Sequence, residues 1–207
     1  MEADGGKTGC GCFPAAKTGR ESRNMLLFIN ACVREQSRTK RIAEAYLSKQ
    51  KEAVTEVRLD QIMFPLADEE FLKRRDRLIA GREFSDPMFV LARQFAEADR
   101  IVIAAPYWDL SFPAALKQYL EQINVLGITF EYTPEGYPKG LCRAKELCYI
   151  TSAGGHYCPE EFGYGYVKAL AQNFYGIKEV KQIKAVGLDI VGADVEEIIR
   201  NAIKTGI

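Results

Sequence analysis

A continuous apolar run in the middle of the chain, residues 101–105, most constrains how this sequence folds. Five apolar side chains in a row match a β-strand that is covered on both faces, as in a parallel sheet flanked by helices. Pro106 ends the run, and Tyr107 and Trp108, the only tryptophan, follow directly. Ser111 is a suitable cap for the helix that comes next. We therefore expect a buried strand that presents two aromatic side chains at its carboxyl end.

Strand-like and helix-like segments alternate along the chain from Met25 onward. The predicted strands are 25–30, 54–59, 101–105, 146–151 and 180–188, and the predicted helices are 37–51, 68–79, 85–98, 113–125, 163–174 and 194–204. This alternation favours an α/β fold with a doubly wound parallel sheet and helices on both faces. Five strands favour the flavodoxin-like order 2-1-3-4-5, in which a ligand binds between the carboxyl ends of the first and third strands.

Composition narrows the classes of partner. The 207 residues include 28 Lys and Arg against 28 Asp and Glu, and a net charge of zero gives no indication of nucleic acid or of an anionic membrane surface. No apolar run approaches the roughly 20 residues that a membrane helix needs. The six cysteines have neither C-x-x-C nor zinc-site spacing, so we expect no metal site. The cysteines are most simply interpreted as free thiols, which persist in a reducing compartment, so we predict a cytoplasmic protein.

The first 24 residues differ from the rest of the chain. They are rich in Gly, Lys, Thr and Ser and show no periodicity. We predict a flexible N-terminal extension over 1–24 and one folded domain over 25–207.

Three loops should meet at one edge of such a sheet, and the first of them spans residues 30–39. It contains the hydroxyls of Ser37 and Thr39 and leads into a helix N-terminus, which suits a phosphate group. Arg34 and Arg38 add positive charge. An ordinary helix cap with solvated arginines fits the same residues.

The second and third loops each have two interpretations. The segment 107–110 provides either a surface on which a flat ring stacks or a plug against a neighbouring subunit. In the loop 151–157, Gly154 and Gly155 permit a close backbone approach or a positive φ, so the loop either surrounds a ring edge with N–H donors or merely turns. His156, the only histidine, is either a surface residue or a group that orients or protonates a substrate.

Together these segments resemble the flavodoxin-like FMN-dependent NAD(P)H oxidoreductases, most closely the NADH:quinone reductase/azoreductase family. The stretches that carry the resemblance are 104–109, 116–119, 127–133, 140–141 and 150–155. It extends from about Met25 to the C-terminus and leaves the N-terminal extension uncovered. The resemblance implies FMN as cofactor, NADH or NADPH as electron donor, and quinones, azo dyes or nitroaromatic compounds as acceptors. It also implies a homodimer and a ping-pong scheme in which flavin N5 carries the hydride and no side chain is catalytic.

The resemblance also implies which residues form the site. Ser37 and Thr39 match the phosphate loop, 107–110 the segment along the isoalloxazine ring, and 152–155 the loop at its pyrimidine edge. The implied cofactor-binding residues are Cys32, Ser37, Thr39, Pro106, Tyr107, Trp108, Asp109, Leu110, Ser152, Ala153, Gly154 and Gly155. The implied substrate-pocket residues are Tyr132, His156, Tyr157 and Phe174.

Two of these positions depart from the family. Cys32 stands where the family has a serine, and a thiol donates a weaker hydrogen bond than a hydroxyl. Asp109 stands where the family has asparagine. An ionised Asp109 would oppose negative charge on reduced flavin and lower its reduction potential, or it would remain partly protonated.

Two other functions fit the same fold. One is a flavin-binding electron carrier without a nicotinamide site, which the neutral net charge disfavours because flavodoxins carry acidic docking surfaces. The other is a non-catalytic flavodoxin-like scaffold, which the departures at Cys32 and Asp109 leave open.

Overall fold

A computed structural model describes residues 24–206 and contains seven strands and six α-helices in that range. In chain order the strands are β1 (Met25–Asn30), β2 (Ala53–Arg58), β3 (Arg100–Ala104), β4 (Phe130–Tyr132), β5 (Pro138–Gly140), β6 (Glu146–Ser152) and β7 (Glu179–Ala185). The helices are α1 (Arg38–Leu47), α2 (Glu69–Ala80), α3 (Val90–Glu97), α4 (Ala114–Ile123), α5 (Tyr164–Leu170) and α6 (Val195–Thr205). The predicted extension over 1–24 lies outside the described residues, apart from Asn24.

The main sheet is parallel and has the order β2-β1-β3-β6-β7. Because β6 and β7 are its fourth and fifth strands along the chain, this is the flavodoxin-like order 2-1-3-4-5. The sequence prediction of the fold is therefore confirmed, and β1 and β3 lie side by side at the centre of the sheet.

Both faces of the central strands β1, β3 and β6 are buried, as the apolar strand 101–105 predicts. Leu27 and Ile29 of β1 pack in one apolar cluster, which contains buried side chains of α3, α4 and α5. Leu26 and Phe28 point to the opposite face and pack with side chains of α1 and α6. Successive side chains of a strand point to opposite faces, so a run with no polar residue requires helices on both sides.

The structure differs from the sequence prediction in four places. The antiparallel hairpin β4–β5 was not expected, because two strands of three residues are too short to show a periodic pattern. The fifth sheet strand ends at Ala185 rather than at residue 188. The predicted helix 163–174 is α5 followed by a π-helical turn, Ala171–Tyr175, and the predicted helix 85–98 begins with a short 3₁₀ turn, Pro87–Phe89.

Residues 24–206 include no helix that is both long enough and apolar enough to cross a membrane. In the same range, no group of three or more His, Cys, Asp or Glu side chains is placed to hold a metal ion. Four cysteines of this range are free thiols: Cys32, Cys142, Cys148 and Cys158.

Candidate functional site

A cavity of about 330 Å³ opens at the carboxyl edge of the sheet, beside the ends of β1, β3 and β6. Its volume lies at the lower end of the range of roughly 300–1,000 Å³ typical of small-molecule sites. Eight of the twelve predicted cofactor-binding residues line it: Ser37, Thr39, Pro106, Tyr107, Trp108, Ser152, Ala153 and Gly154. The parallel topology therefore brings all three predicted loops together.

The start of α1 forms one end of this cavity. Ser37 caps the helix by accepting a hydrogen bond from the backbone N–H of Lys40 at 3.3 Å. Among the described residues, the backbone N–H groups of Arg38 and Thr39 have no hydrogen-bond partner, as expected in the first turn of a helix. Arg34 and Arg38 line the same end. Free N–H groups, hydroxyls and two cations make this end suitable for an anion.

A hydroxyl–hydroxyl hydrogen bond connects the first loop to the third. Thr39 Oγ1 and Ser152 Oγ are 2.7 Å apart, and Thr39 is only 1% exposed. Because α1 and β6 are far apart in the chain, this contact holds two walls of the cavity at a fixed separation.

The aromatic pair after β3 forms the next wall. The backbone N–H of Tyr107 donates to the carbonyl of Ser152 at 3.0 Å, which continues the sheet pairing beyond β3. The Tyr107 phenol oxygen is buried and has no hydrogen-bond partner among the described residues. Trp108 is 38% exposed and borders the cavity, so its ring remains available to pack on a ligand.

A tight turn follows this pair. Two backbone hydrogen bonds of 3.1 and 2.7 Å close it between Trp108 and Ser111, and its central residues, Asp109 and Leu110, have φ of 50° and 69°. Positive φ at both central positions defines a type I′ turn, and Asp tolerates this region better than most residues. Asp109 therefore has a backbone role in this turn, and its exposed side chain does not line the cavity.

Ser111 does not cap the following helix, contrary to expectation. Its hydroxyl donates instead to the carbonyl of Phe162 at 2.6 Å, and Pro113 occupies the N-cap position of α4 without a side-chain hydrogen bond. The serine thereby connects the aromatic turn to the segment before α5.

Of the two glycines in the third loop, only Gly154 has a close neighbour on the side where a Cβ would stand. A Cβ added there would lie 2.1 Å from Asp189 Oδ2, whereas the nearest atom to a Cβ at Gly155 would be 4.0 Å away. Neither residue has a positive φ. The close approach of the Asp189 carboxylate, and not an unusual backbone conformation, therefore favours glycine at position 154, because a larger residue would displace that exposed side chain.

Sequence reasoning missed a fourth loop, which follows β7. The backbone N–H groups of Leu188 and Asp189 donate to the carbonyls of Ala153 and Gly154 at 3.3 and 2.9 Å, and both residues line the cavity. The predicted strand extended to residue 188 and concealed this loop. Gly187 and Asp189, directly beyond a strand end, were the signal that could have revealed it. Sequence reasoning also did not single out Val33 and Gln36, which line the cavity from the first loop.

Cys32 lies behind the cavity wall. It is 3% exposed, its backbone N–H donates to Asn30 Oδ1 at 2.9 Å, and its Sγ lies 3.8 Å from the carbonyl oxygen of Ala104. Burial raises the pKa of the Cys32 thiol to about 11, so the thiol stays protonated at neutral pH. Cys32 is not among the residues that line the cavity, since its side chain is buried behind the wall.

Four further predicted residues surround the cavity without lining it. Leu110 and Gly155 are exposed beside it, and so are His156 and Tyr157. The His156 ring lies against Gly187, where an added Cβ would come within 2.5 Å of His156 Cε1. The fourth loop thus supports the position of this imidazole.

Tyr132 and Phe174 lie at the opposite edge of the sheet. Helix α4 runs back from the carboxyl edge, so the hairpin β4–β5 that follows it packs against the π turn just before β7. The Phe130 ring contacts both side chains, with ring centroids 5.5 Å from Tyr132 and 5.1 Å from Phe174. Within one chain these two predicted pocket residues do not reach the cavity.

A parallel sheet of this order, with a cavity built from the loops at its carboxyl edge, defines a flavodoxin-like protein. A family model described as flavodoxin-like fold matches residues 24–205, and this chain belongs to that family.

Named relatives agree with this assignment. The chain is 34% identical over 191 residues to an FMN-dependent NADH:quinone oxidoreductase of Clostridium perfringens (strain SM101 / Type A), which covers 88% of this chain and 96% of the relative. A protein of the same name from Lachnoclostridium phytofermentans is 37% identical over 185 residues, covering 84% and 92%. Among solved structures, an azoreductase from Bacillus anthracis str. Sterne superposes with a TM-score of 0.76 at 27% identity, covering 88% of this chain and 96% of that chain.

Proposed function

We propose that this protein is an FMN-dependent oxidoreductase that uses NADH or NADPH to reduce quinones, azo compounds or nitroaromatic compounds. One observation carries the proposal: loops from β1, β3 and β6 converge on a cavity with an anion-suited end and an aromatic wall. Relatives more than 30% identical over most of this chain are named for this cofactor and for quinone reduction.

The residues present fit FMN. Ser37 and Thr39, with the free N–H groups at the start of α1, would hold the phosphate. Tyr107 and Trp108 would pack along the isoalloxazine ring, and the segment 152–155 would face its polar edge. Among the described residues the backbone N–H groups of Gly154 and Gly155 have no partner, so they are available as donors. When bound, FMN supplies two-electron redox chemistry between the nicotinamide and the acceptor.

The protein's own contribution is binding and orientation. No Ser-His-Asp arrangement or metal site is required, because the cofactor supplies the reactive atom. The exposed rim near Trp108, His156 and Tyr157 would admit the nicotinamide first and then the acceptor. A single site used in turn by donor and acceptor predicts ping-pong kinetics, which parallel lines in double-reciprocal plots of rate against NADH at several quinone concentrations would test.

The visible spectrum of the protein purified without added flavin is the first experiment. We expect a bound-flavin spectrum, either directly or after FMN is added and the excess removed, and bleaching of that spectrum by NADH without oxygen. Adding a quinone should then restore the oxidised spectrum. Flavin that binds but does not bleach with either nicotinamide would favour an electron carrier, and a protein that does not bind FMN would favour a scaffold.

We propose a homodimer in which the second subunit completes the substrate pocket. Tyr132 is 54% exposed and lies at the opposite edge of the sheet, so it does not reach the cavity of its own subunit. In a homodimer it would contribute to the cavity of the partner subunit. Exposed Leu110 and Phe162 near the cavity support a surface that a second copy covers. Light scattering should give a mass near twice that of the chain. A monomer with full quinone reductase activity would contradict this proposal.

We also propose that residues 25–207 contain the whole flavin-binding domain and that the protein works in the cytoplasm. Every cavity-lining residue lies within this range. The four free cysteines of the described residues are compatible with a reducing compartment. Removing 1–24 should leave FMN affinity unchanged, and cell fractionation would test the location.

A further inference from the structure

The turn after β3 and the segment before α5 lie together beside the cavity. Ser111 closes the turn, and its hydroxyl donates to the carbonyl of Phe162 at 2.6 Å, which joins the two segments. Their exposed apolar side chains are Trp108, Leu110, Tyr157 and Phe162. We call these four residues the acceptor rim, because the proposed function admits the electron acceptor beside them.

Two carboxylates stand among these apolar residues. Asp109 directly follows Trp108 in the turn, and its side chain is exposed. Glu161 directly precedes Phe162 and is exposed as well. Burial raises the pKa of the cavity-lining Tyr107 phenol, and the negative charge of Glu161 contributes to the same increase, so Glu161 acts electrostatically on the cavity wall. The acceptor rim therefore carries negative charge on both of its segments.

The two carboxylates are not neutralised by neighbouring lysines. Lys184 of β7 pairs with Glu160 at 2.9 Å, and Lys117 of α4 pairs with Glu121. Among the described residues neither rim carboxylate has an ion-pair partner. Exposed, unpaired charges act on a ligand over about one Debye length, roughly 8–10 Å at physiological salt.

The positive charges of the cavity lie at its other end. Arg34 and Arg38 line the cavity at the start of α1, and Arg38 is paired with Asp189 at 2.7 Å. In the proposed function this end receives the phosphate, whose charge offsets the arginines. An acceptor that enters beside the aromatic wall therefore meets an apolar surface and two carboxylates rather than the arginines.

We propose that Asp109 and Glu161 make this site select neutral flat acceptors and discriminate against anionic ones, such as sulfonated quinones and sulfonated azo dyes. This inference rests on the proposed function and narrows its class of acceptor. In the reaction a quinone gains a hydride from the reduced flavin and a proton from solvent, and it leaves as the hydroquinone. An anionic group on the acceptor would have to approach the two carboxylates before this transfer, which lowers its local concentration and its rate of association. Both carboxylates act through space, since neither lines the cavity.

The test compares naphthoquinone with naphthoquinone sulfonate, which share a ring system and differ by one negative charge. The FMN-loaded full-length protein is photoreduced without oxygen and mixed with each quinone by stopped flow. The return of the oxidised flavin absorbance gives a second-order rate constant, and because no nicotinamide is present the donor step does not enter. At about pH 8 imidazole groups are uncharged, so the carboxylates are the charges under test.

Glu161→Gln should raise the rate constant for the sulfonate by about threefold and leave that for naphthoquinone within about 1.5-fold. Asp109→Asn should raise the ratio of the sulfonate constant to the naphthoquinone constant by about threefold, and the double variant should raise it by about tenfold. Asparagine tolerates the positive φ of this turn, so the substitution preserves the backbone. In the wild type, raising the salt from about 0.01 M to about 0.15 M should raise only the sulfonate constant.

Glu97→Gln is the matched control. Glu97 is an exposed carboxylate with no ion-pair partner among the described residues, and it ends α3 just before β3 begins, at the edge of the sheet opposite the cavity. Both rate constants should therefore stay within about 1.5-fold of the wild-type values. Thermal unfolding of each variant would show that it is folded.

Three results would overturn the inference. The first is an unchanged ratio in both Asp109→Asn and Glu161→Gln. The second is an equal increase in Glu97→Gln, which would assign the effect to the net charge of the protein. The third is a sulfonate constant that falls as salt is added, which would mean that the mouth attracts anions. A protein that does not bind FMN, or whose reduced flavin is reoxidised by neither quinone, would instead refute the proposed function on which the inference rests.

Discussion

The hydrogen bond between Thr39 and Ser152 provides a direct test of how the cavity walls are joined. Thr39→Val keeps the shape of the side chain and removes the hydroxyl, while Ser152→Ala removes the other partner. A neutral hydrogen bond contributes about 0.5–1.5 kcal/mol, and a buried polar group left without a partner costs about 1–3 kcal/mol. Thr39 is almost fully buried, and among the described residues its hydroxyl has no other hydrogen-bond partner. We therefore expect each single substitution to lower the free energy of unfolding by about 1–2 kcal/mol.

A double-mutant cycle separates the bond from other effects of the two substitutions. If the hydroxyls stabilise each other, Thr39→Val with Ser152→Ala should cost about 1 kcal/mol less than the sum of the single changes. Urea unfolding followed by far-ultraviolet circular dichroism, on flavin-free protein, measures all four free energies without linkage to the ligand. Thr39→Ser is the control, since it retains a hydroxyl and should remain coupled to Ser152. A coupling energy below about 0.3 kcal/mol would refute the structural role assigned to this pair.

Three further predictions concern buried polar groups elsewhere in the fold. Tyr119 and Tyr175 are both fully buried, but only the Tyr175 hydroxyl has a hydrogen-bond partner, at 2.8 Å. In urea unfolding, Tyr175→Phe should therefore lower the free energy of unfolding by about 1 kcal/mol, whereas Tyr119→Phe should leave it unchanged. Equal losses in the two variants would contradict this. Burial alone would raise the pKa of Glu146, but hydrogen bonds from a lysine and an arginine lower it below its usual value. Above a pH of about 4.3, the ordinary pKa of Glu, Glu146→Gln should therefore lower the free energy of unfolding by its full amount. This difference from the wild type should disappear as the pH falls through the lower pKa of Glu146 in the folded state. A difference that persists at still lower pH would contradict the assignment. Cys32, whose pKa is raised to about 11 by burial, should resist alkylation at neutral pH until the protein is unfolded; peptide mapping with Cys32→Ser as background would show this, and rapid native labelling would refute it.

Short-range patterns predicted most of the fold. The apolar run 101–105 and the alternation of strand-like and helix-like segments were enough for the sheet order, because topology rules leave few arrangements for such a pattern. The same rules predicted that the loops after β1, β3 and β6 share one edge, and Ser37 caps α1 as expected. The hairpin β4–β5 was missed because each of its strands has only three residues.

The part of the site that sequence reasoning did not reach depends on contacts between distant residues. Asp189 became visible as a cavity residue only through its bond to Arg38, 151 positions away, and through the space left by Gly154. Cys32, predicted beside the phosphate, is withdrawn behind the wall because its strand end is buried.

The sequence by itself determined the fold, the edge of the sheet that carries the cavity, and residue types there that suit an anion and a flat ring. The fold and the edge follow from local periodicity, which short segments of the chain express, together with the fixed handedness of parallel connections. Only the tertiary structure decided which side chains reach the cavity, that Gly154 serves the close approach of Asp189, and that Tyr132 and Phe174 lie at the opposite edge. Burial and through-space contact arise when segments more than 100 residues apart pack together, as Thr39 and Ser152 do across 113 positions, and no local pattern encodes them.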